Sequence, residues 1–142
     1  MVTPAEIRRL SPSAFAYIGD AVYELYVRLH FLMPPKRLKS YHGLVVEWVR
    51  AEHQSQQLRS LEPLLTLDEL DLVRRGRNAT TKSPRRVDLE TYQRATGFEA
   101  LIGYLYLTDP ERLSELIKHL SIIPSDADSN PPHLSGITHH DS

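Results

Sequence analysis

Cysteine is absent from this chain of 142 residues. Its absence excludes disulfides and thiolate metal sites, and it fits a reducing compartment. No apolar run approaches the roughly 20 residues that a membrane-spanning helix needs. The first ten residues, MVTPAEIRRL, also lack the basic start and the apolar stretch of a signal peptide. Together these absences predict a cytoplasmic protein.

An excess of charge and the common catalytic motifs are also missing. Lysine and arginine number 17 against 18 acidic residues, so the net charge of −1 gives no sign of a nucleic-acid partner. The sequence has no phosphate-binding glycine loop, no HExxH and no GxSxG, which argues against the enzyme classes that these motifs mark. The seven histidines predict no metal site, because His42 and His53 lack ligand spacing and three others lie in the polar C-terminal segment.

Apolar residues recur at spacings of three and four, which is the pattern of helices. No stretch alternates like a strand, so the sequence predicts an all-α fold. Ser11 before Pro12 is a typical helix start, as is the pair Thr66 and Glu69. The predicted helices begin near Pro12, Ser40, Thr66, Asp88 and Asp109, and they end before Pro34 and near Ser60, Gly76 and Leu120. The later half of the second helix, AEHQSQQLRS, is polar and is predicted to be exposed.

Residues 1–120 contain all the predicted helices and suffice for one domain with a sizeable core. Residues 121–142 are rich in serine, proline, aspartate and histidine, a composition typical of disorder. We therefore predict one helical domain followed by a disordered polar tail.

Two carboxylates lie inside the most apolar segments of the chain. Asp20 is in the middle of AYIGDAVYELYVRLHF, and Glu99 is near the start of FEALIGYLYL. A buried charge is costly unless it is paired, protonated or bound to a metal. Two acids on core helices therefore suggest one shared metal site, and Mg²⁺ prefers such oxygen ligands. The alternative is that a nearby arginine pairs with each acid and that neither does chemistry.

The helix that carries Asp20 is apolar on nearly every side. One stripe comprises Phe15, Ile18, Val22, Leu25, Leu29 and Leu32, and the face around Asp20 adds Ala16, Tyr23 and Val27. Two buried faces in so small a domain predict a subunit interface, and hence a homodimer. Gly19 and Gly103 suggest close helix approach near the acids, since glycine within a helix costs about 1 kcal/mol relative to alanine. Glu24 can extend the site or pair with Arg28 at i,i+4, and we favour the pair.

A basic segment begins in the last residues of the third predicted helix and continues beyond it. Residues 74–87 hold six positive charges and no acid: Arg74, Arg75, Arg77, Lys82, Arg85 and Arg86. Such charges displace counterions from a phosphate backbone, and arginine forks match phosphate oxygens. The interleaved polar residues, Asn78 among them, suit a mobile loop. The segment predicts phosphate contact, against the alternative of a solvated charge run.

Two motifs resemble those of a known family. YIGDAVYE resembles the signature helix of ribonuclease III catalytic domains, with Asp20 at the metal-binding aspartate. TGFEALIGYLYL resembles the family's second acidic helix, with Glu99 at the metal-binding glutamate. The resemblance covers about residues 10–120. It implies a helical Mg²⁺-dependent nuclease domain in which both acids are catalytic metal ligands.

Several departures from the usual pattern point to a subgroup. Only the short polar tail stands where ribonuclease III has a double-stranded-RNA-binding domain, and Ala16 and Thr96 stand where the pattern has further acids. With RRGRNA at 74–79 and TY at 91–92, these departures match the bacterial Mini-ribonuclease III subgroup. The match implies a cytoplasmic homodimer that matures 23S ribosomal RNA. The number of metal ions per site stays open.

The sequence thus predicts a homodimeric endoribonuclease that cuts double-stranded RNA and leaves 5′-phosphates. Asp20 and Glu99 are the predicted catalytic residues, and the predicted RNA-binding residues are Arg74, Arg75, Arg77, Asn78, Lys82, Arg85 and Arg86. A rival is a non-catalytic RNA-binding or ribosome-associated protein on the same fold, against which the retention of both acids argues. A helical interaction module without RNA is a third reading, and the basic segment argues against it.

Overall fold

Helices make up the regular structure of the described part of the chain. The computed structural model describes residues 1–120, and the predicted tail at 121–142 lies outside the described residues. Residues 1–120 contain no strand, which confirms the all-α fold class. The helices are α1 (Pro4–Ile7), α2 (Pro12–Phe31), α3 (Leu38–Trp48), α4 (Ala51–Leu61), α5 (Leu67–Asn78), α6 (Leu89–Thr108) and α7 (Pro110–Lys118), with a 3₁₀ turn at Glu62–Leu64. None of them is long and apolar enough to cross a membrane.

Side-chain caps start the helices close to where the sequence predicts. The Ser11 hydroxyl accepts a hydrogen bond from the backbone N–H three residues on, at the start of α2. Thr66 and Glu69 form the predicted capping box before α5. Asp88 and Asp109 cap α6 and α7 in the same way. Each cap satisfies an N–H that the first helical turn leaves unpaired, so these starts depend on a few neighbouring residues only.

The helix predicted over residues 40–60 is two helices. α3 ends at Trp48, Arg50 is extended, and α4 begins at Ala51. The prediction that the polar half of this segment is exposed is also wrong, because α4 turns a mixed polar and apolar face inward. Its buried residues are Gln54, Ser55, Gln57, Leu58 and Leu61.

Glycines lie where the backbones of α2 and α6 touch. A Cβ atom on Gly19 would overlap the carbonyl oxygen of Glu99, and one on Gly103 would overlap that of Phe15. The close helix approach predicted from these two glycines is therefore confirmed. No side chain can separate the two helices at this crossing, so residues that flank it are brought together.

A second pair of glycines joins α5 to α6. Gly76 is buried within α5, and the helix continues to Asn78, so the predicted helix end at Gly76 is wrong. A Cβ atom on Gly76 would lie 3.1 Å from the Cα of Gly97, and one on Gly97 would lie 2.8 Å from the Val73 carbonyl oxygen. Gly76 thus permits helix contact, and α6 is in close backbone contact with both α2 and α5.

α2 buries one of its two apolar faces. The buried residues are Phe15, Ala16, Gly19, Val22, Tyr23 and Val27. Leu25, Leu29 and Leu32, which belong to the apolar stripe of the sequence pattern, are 55%, 56% and 51% exposed. These leucines are exposed in the single chain because the contact at Gly19 turns another side of α2 toward α6. The other apolar side is open in the single chain.

Candidate active site

Asp20 and Glu99 meet at the crossing of α2 and α6. Asp20 follows Gly19, whose α carbon faces the backbone of Glu99. The carboxyl group of Asp20 and the side chain of Gln54 in α4 both lie close enough to Glu99 to shift its pKa. Within residues 1–120, neither acid takes part in an ion pair with lysine or arginine. For this part of the chain, the alternative of arginine-paired acids is therefore wrong.

The surroundings of Glu99 raise its pKa to about 9. Burial is the largest cause, and the hydrogen bond and the negative charge of Asp20 add to it. The hydrogen bond from Gln54 acts in the opposite direction. Asp20 is exposed and Glu99 is half-buried, so the inference of two buried acids is wrong for Asp20 and holds only in part for Glu99. At neutral pH Glu99 keeps its proton, because burial and the neighbouring charge of Asp20 both disfavour its ionised form.

The donor set at this crossing fits a hard divalent cation. Carboxylate ligands must be deprotonated, so a cation bound here would replace the proton of Glu99. The described residues contain no group of three or more histidines, aspartates and glutamates that is placed to hold a metal ion. The site therefore has two carboxylates, with an amide beside them. Mg²⁺ is usually held by one or two carboxylates and keeps several waters, so this set suits it.

The positions one turn before the two acids supply no further carboxylate. Ala16 is buried, and the Thr96 hydroxyl donates to the Tyr92 carbonyl of its own helix at 3.0 Å. Glu24 pairs with Arg28 at 3.4 Å, which confirms that prediction. The site is therefore poorer in carboxylates than the usual family pattern.

Gln54 is the residue of this site that sequence reasoning missed. The polar composition of its segment suggested exposure, yet Gln54 is only 2% exposed. A signal was present: Gln54, Leu58 and Leu61 are spaced by four and three residues, so they share one face of a helix. That spacing places Gln54 on the buried side of α4.

The predicted basic segment is divided between a helix and a loop. Its first part lies in the last turns of α5, so the prediction of one continuous loop is wrong there: these residues are Arg74, Arg75, Arg77 and Asn78. The second part lies in the loop over residues 79–88 and comprises the exposed Lys82, Arg85 and Arg86. Arg74 and Arg75 both pair with Asp71. Exposed pairs of this kind contribute only about 0–1 kcal/mol, so both arginines stay available to an anion.

Gln93 of α6 anchors this loop. Its side-chain amide donates to the Thr80 carbonyl at 2.9 Å, and within the loop the Ser83 hydroxyl donates to the Val87 carbonyl at 2.9 Å. Gln93 precedes Glu99 by six residues, a separation of about 9 Å along a helix. One helix therefore carries a carboxylate of the site and the anchor of the basic loop.

The chain resembles known proteins in sequence and in fold. The family model described as Ribonuclease III domain matches residues 13–110. The Mini-ribonuclease 3 of Synechococcus sp. is 53% identical over 121 residues, which cover 85% of this chain and 88% of the relative. That of Synechocystis sp. is 55% identical over 111 residues, 78% of each chain. A crystal structure of a Fusobacterium nucleatum protein, 28% identical, matches with a TM-score of 0.73 over 80% of this chain and 93% of that one. The chain therefore belongs to the ribonuclease III family and, within it, to the Mini-ribonuclease 3 group.

Proposed function

We propose that this protein is a Mg²⁺-dependent endoribonuclease that cuts double-stranded RNA and leaves 5′-phosphates. Family membership supports the endoribonuclease activity. The observation that carries the proposal is the meeting of Asp20 and Glu99 at a glycine-mediated helix crossing. A protein that only bound RNA would have no need of a pair of carboxylates whose mutual repulsion must be offset by a proton or a cation.

Asp20 and Glu99 would hold the ion. When bound, Mg²⁺ supplies Lewis-acid chemistry, which promotes the ionisation of water and offsets the charge of the phosphate. Glu99 must first release its proton, which its raised pKa keeps in place at neutral pH. Asp20 is exposed, so a phosphodiester can approach the pair from its side of the crossing.

The basic segment supports an RNA substrate. Arginine and lysine from the end of α5 and from the following loop can bind successive phosphates. A-form RNA presents phosphates and 2′-hydroxyls more readily than base edges, so we expect recognition by shape. We propose that the substrate is the precursor of 23S ribosomal RNA in the cytoplasm, as the family resemblance implies.

A cleavage assay tests this function directly. Purified protein is incubated with a long RNA duplex and with its single strands, with Mg²⁺ or with a chelator. We expect duplex cleavage in Mg²⁺ only, with ends that a 5′-phosphate-dependent exonuclease degrades. Tight duplex binding without cleavage would favour the non-catalytic alternative.

Neutralising the basic segment tests its role in RNA binding. Changing Arg74, Arg75, Arg77, Arg85 and Arg86 to glutamine should weaken duplex binding. Each lost phosphate contact should lower the slope of log affinity against log salt by roughly 0.9, by analogy with B-form DNA. The melting temperature should change little, because most of these side chains are exposed and surface substitutions usually stay within about ±0.5 kcal/mol.

The control for this variant removes the same number of charges elsewhere. Arg9, Arg37, Lys39, Arg59 and Lys118 are all exposed and lie outside the segment. Their replacement by glutamine should leave the salt slope closer to that of the wild type. Equal slopes for the two variants would show that net charge, rather than this segment, attracts RNA.

We also propose a homodimer formed through the open apolar side of α2, so that each subunit of a two-fold pair cuts one strand. Leu29→Asp should turn a dimer of the 16.3 kDa chain into a monomer. Its helix content should be unchanged, because Leu29 is exposed in the single chain. Sedimentation at micromolar concentration measures the outcome. Leu67→Asp, at a more exposed leucine of α5, is the control and should stay dimeric.

A further inference from the structure

A groove between α1 and the ends of α5 and α6 contains two arginines. Arg8, which follows α1, and Arg75 of α5 both line this groove, whose volume is about 420 Å³. We propose that the groove is a further contact for the RNA backbone, in which Arg8 binds a phosphate next to the one bound by Arg75. This inference rests on the proposed function, since it concerns the same RNA. It adds α1 to the RNA-binding surface, although Arg8 lies outside residues 13–110, which match the family model.

The charge of the groove is the first evidence. Of the described residues that line it, Arg8 and Arg75 are charged and none is acidic. Asp71 pairs with both Arg74 and Arg75, so one acid serves two arginines. Arg8 takes part in no ion pair within residues 1–120. Two cations that share one groove repel each other, so an anion bound between them is stabilised by both.

The position of the groove relative to the two acids is the second evidence. Its lining includes Phe15 of α2 and Tyr104 of α6, whose rings pack edge to face with centroids 5.4 Å apart. Phe15 precedes Asp20 by five residues, and Tyr104 follows Glu99 by five. Five residues span only about 7.5 Å along a helix. A strand of RNA that is bound at the acids can therefore extend to the groove.

Apolar side chains should strengthen the attraction between these arginines and a phosphate. Ile7, Leu10 and Leu107 also line the groove. Apolar surroundings lower the effective dielectric constant, so a pair of opposite charges attracts more strongly there than on an open surface. The guanidinium group can also donate to two phosphate oxygens at once. We therefore expect Arg8 to contribute more to RNA binding than an arginine on an open surface.

Arg9 provides a matched control for Arg8. The two residues are adjacent and both are exposed, but Arg9 is not among the residues that line the groove. Glu6, the acid of α1, accepts a hydrogen bond from the Thr3 N–H at 3.0 Å. Within the described part of the chain it forms an ion pair with neither arginine. Replacing Arg8 and Arg9 in turn therefore removes the same charge with and without the groove contact.

The experiment measures binding of the full chain to a fluorescent RNA duplex over a series of salt concentrations. A chelator is present, so that no cleavage occurs. For Arg8→Gln we expect the slope of log affinity against log salt to fall by roughly 0.9, the value of one phosphate contact in B-form DNA. Between about 50 and 200 mM salt, its affinity should then decrease about 3.5-fold less than that of the wild type. Arg9→Gln should keep the wild-type slope.

Arg8→Glu is the second variant, because reversal of the charge repels a phosphate. It should weaken duplex binding more than Arg8→Gln does, and more than Arg9→Glu does. Equal slopes for Arg8→Gln and Arg9→Gln would overturn the inference, because the groove would then act like any exposed surface. Tighter duplex binding by the Arg8 variants would also overturn it, since the groove would then hold an acidic competitor. Residues 121–142, with three aspartates and no lysine or arginine, have that chemistry.

Failure of this inference is distinguishable from failure of the proposed function. If Arg8→Gln and Arg9→Gln bind alike while the wild type cleaves duplex in Mg²⁺, the groove is not an RNA contact and the endoribonuclease stands. If the wild type binds duplex without cleaving it, the nuclease function is wrong, while the salt slopes still decide the role of Arg8. If the wild type does not bind duplex, both proposals are wrong.

Discussion

Replacing Asp20 by asparagine, or Glu99 by glutamine, is expected to reduce duplex cleavage by at least about a hundredfold. Metal ions contribute several kcal/mol to such reactions, and a hundredfold loss corresponds to only about 2.7 kcal/mol. An amide keeps the shape of each side chain but is a poorer ligand for Mg²⁺. The loss should therefore appear in the rate of cleavage, while duplex binding in the absence of Mg²⁺ is retained.

The fold should tolerate both substitutions. Glu99 is protonated at neutral pH in the metal-free protein because burial and Asp20 raise its pKa to about 9. Glutamine is neutral in the same way, so Glu99→Gln removes no charge that the metal-free fold uses. Asp20 is exposed, and surface changes usually shift stability by no more than about 0.5 kcal/mol.

Glu24→Gln is the control for these variants. Glu24 lies one turn after Asp20 on α2 and pairs with Arg28 at the surface. Its replacement should leave cleavage near the wild-type rate and cost about 0.5 kcal/mol or less. Single-turnover rates over a range of Mg²⁺ concentrations separate a defect in metal affinity from one in the chemical step. Wild-type rates in both acid variants would refute the mechanism.

Gly19→Ala and Gly103→Ala are expected to destabilise the protein by about 4 kcal/mol or more. Single substitutions cause losses of this size only when they disrupt packing severely. The new methyl group would occupy the position of a backbone carbonyl oxygen of the opposite helix. Backbone cannot move aside as the end of a flexible side chain can, so α2 and α6 must separate. Because native domains are stable by only about 5–15 kcal/mol, such variants should melt far below the wild type or fail to fold.

Gly43→Ala is a control at another helical glycine. A Cβ atom at Gly43, within α3, would have no neighbour within 4 Å. Alanine should therefore stabilise the protein by about 0.5–1 kcal/mol, because it loses less conformational freedom on folding. Thermal unfolding of the three variants beside the wild type measures the contrast. Similar melting temperatures for all three would mean that α2 and α6 do not meet at these glycines.

Local chemistry determined much of the fold from the sequence alone. The starts of α2, α5, α6 and α7 follow from Ser11, Thr66, Asp88 and Asp109, because a cap acts on N–H groups only two or three residues away. Asp20 and Glu99 were predictable as a pair because acids in apolar segments need a partner. These inferences required no knowledge of how the helices pack.

Tertiary structure alone decided which helix faces meet. Glycine is typical of a helix end, yet Gly76 lies within α5. Its lack of a side chain serves the close contact with Gly97 of α6. Leu25 and Leu29 have the spacing of core residues, yet they are exposed because α2 turns Gly19 toward α6. Gln54, Leu58 and Leu61 lie on one face of α4. That face is buried because the helix is interrupted at Arg50, which sets the direction of α4. Periodicity identifies the faces of a helix, but the choice among them depends on contacts between residues far apart in the sequence.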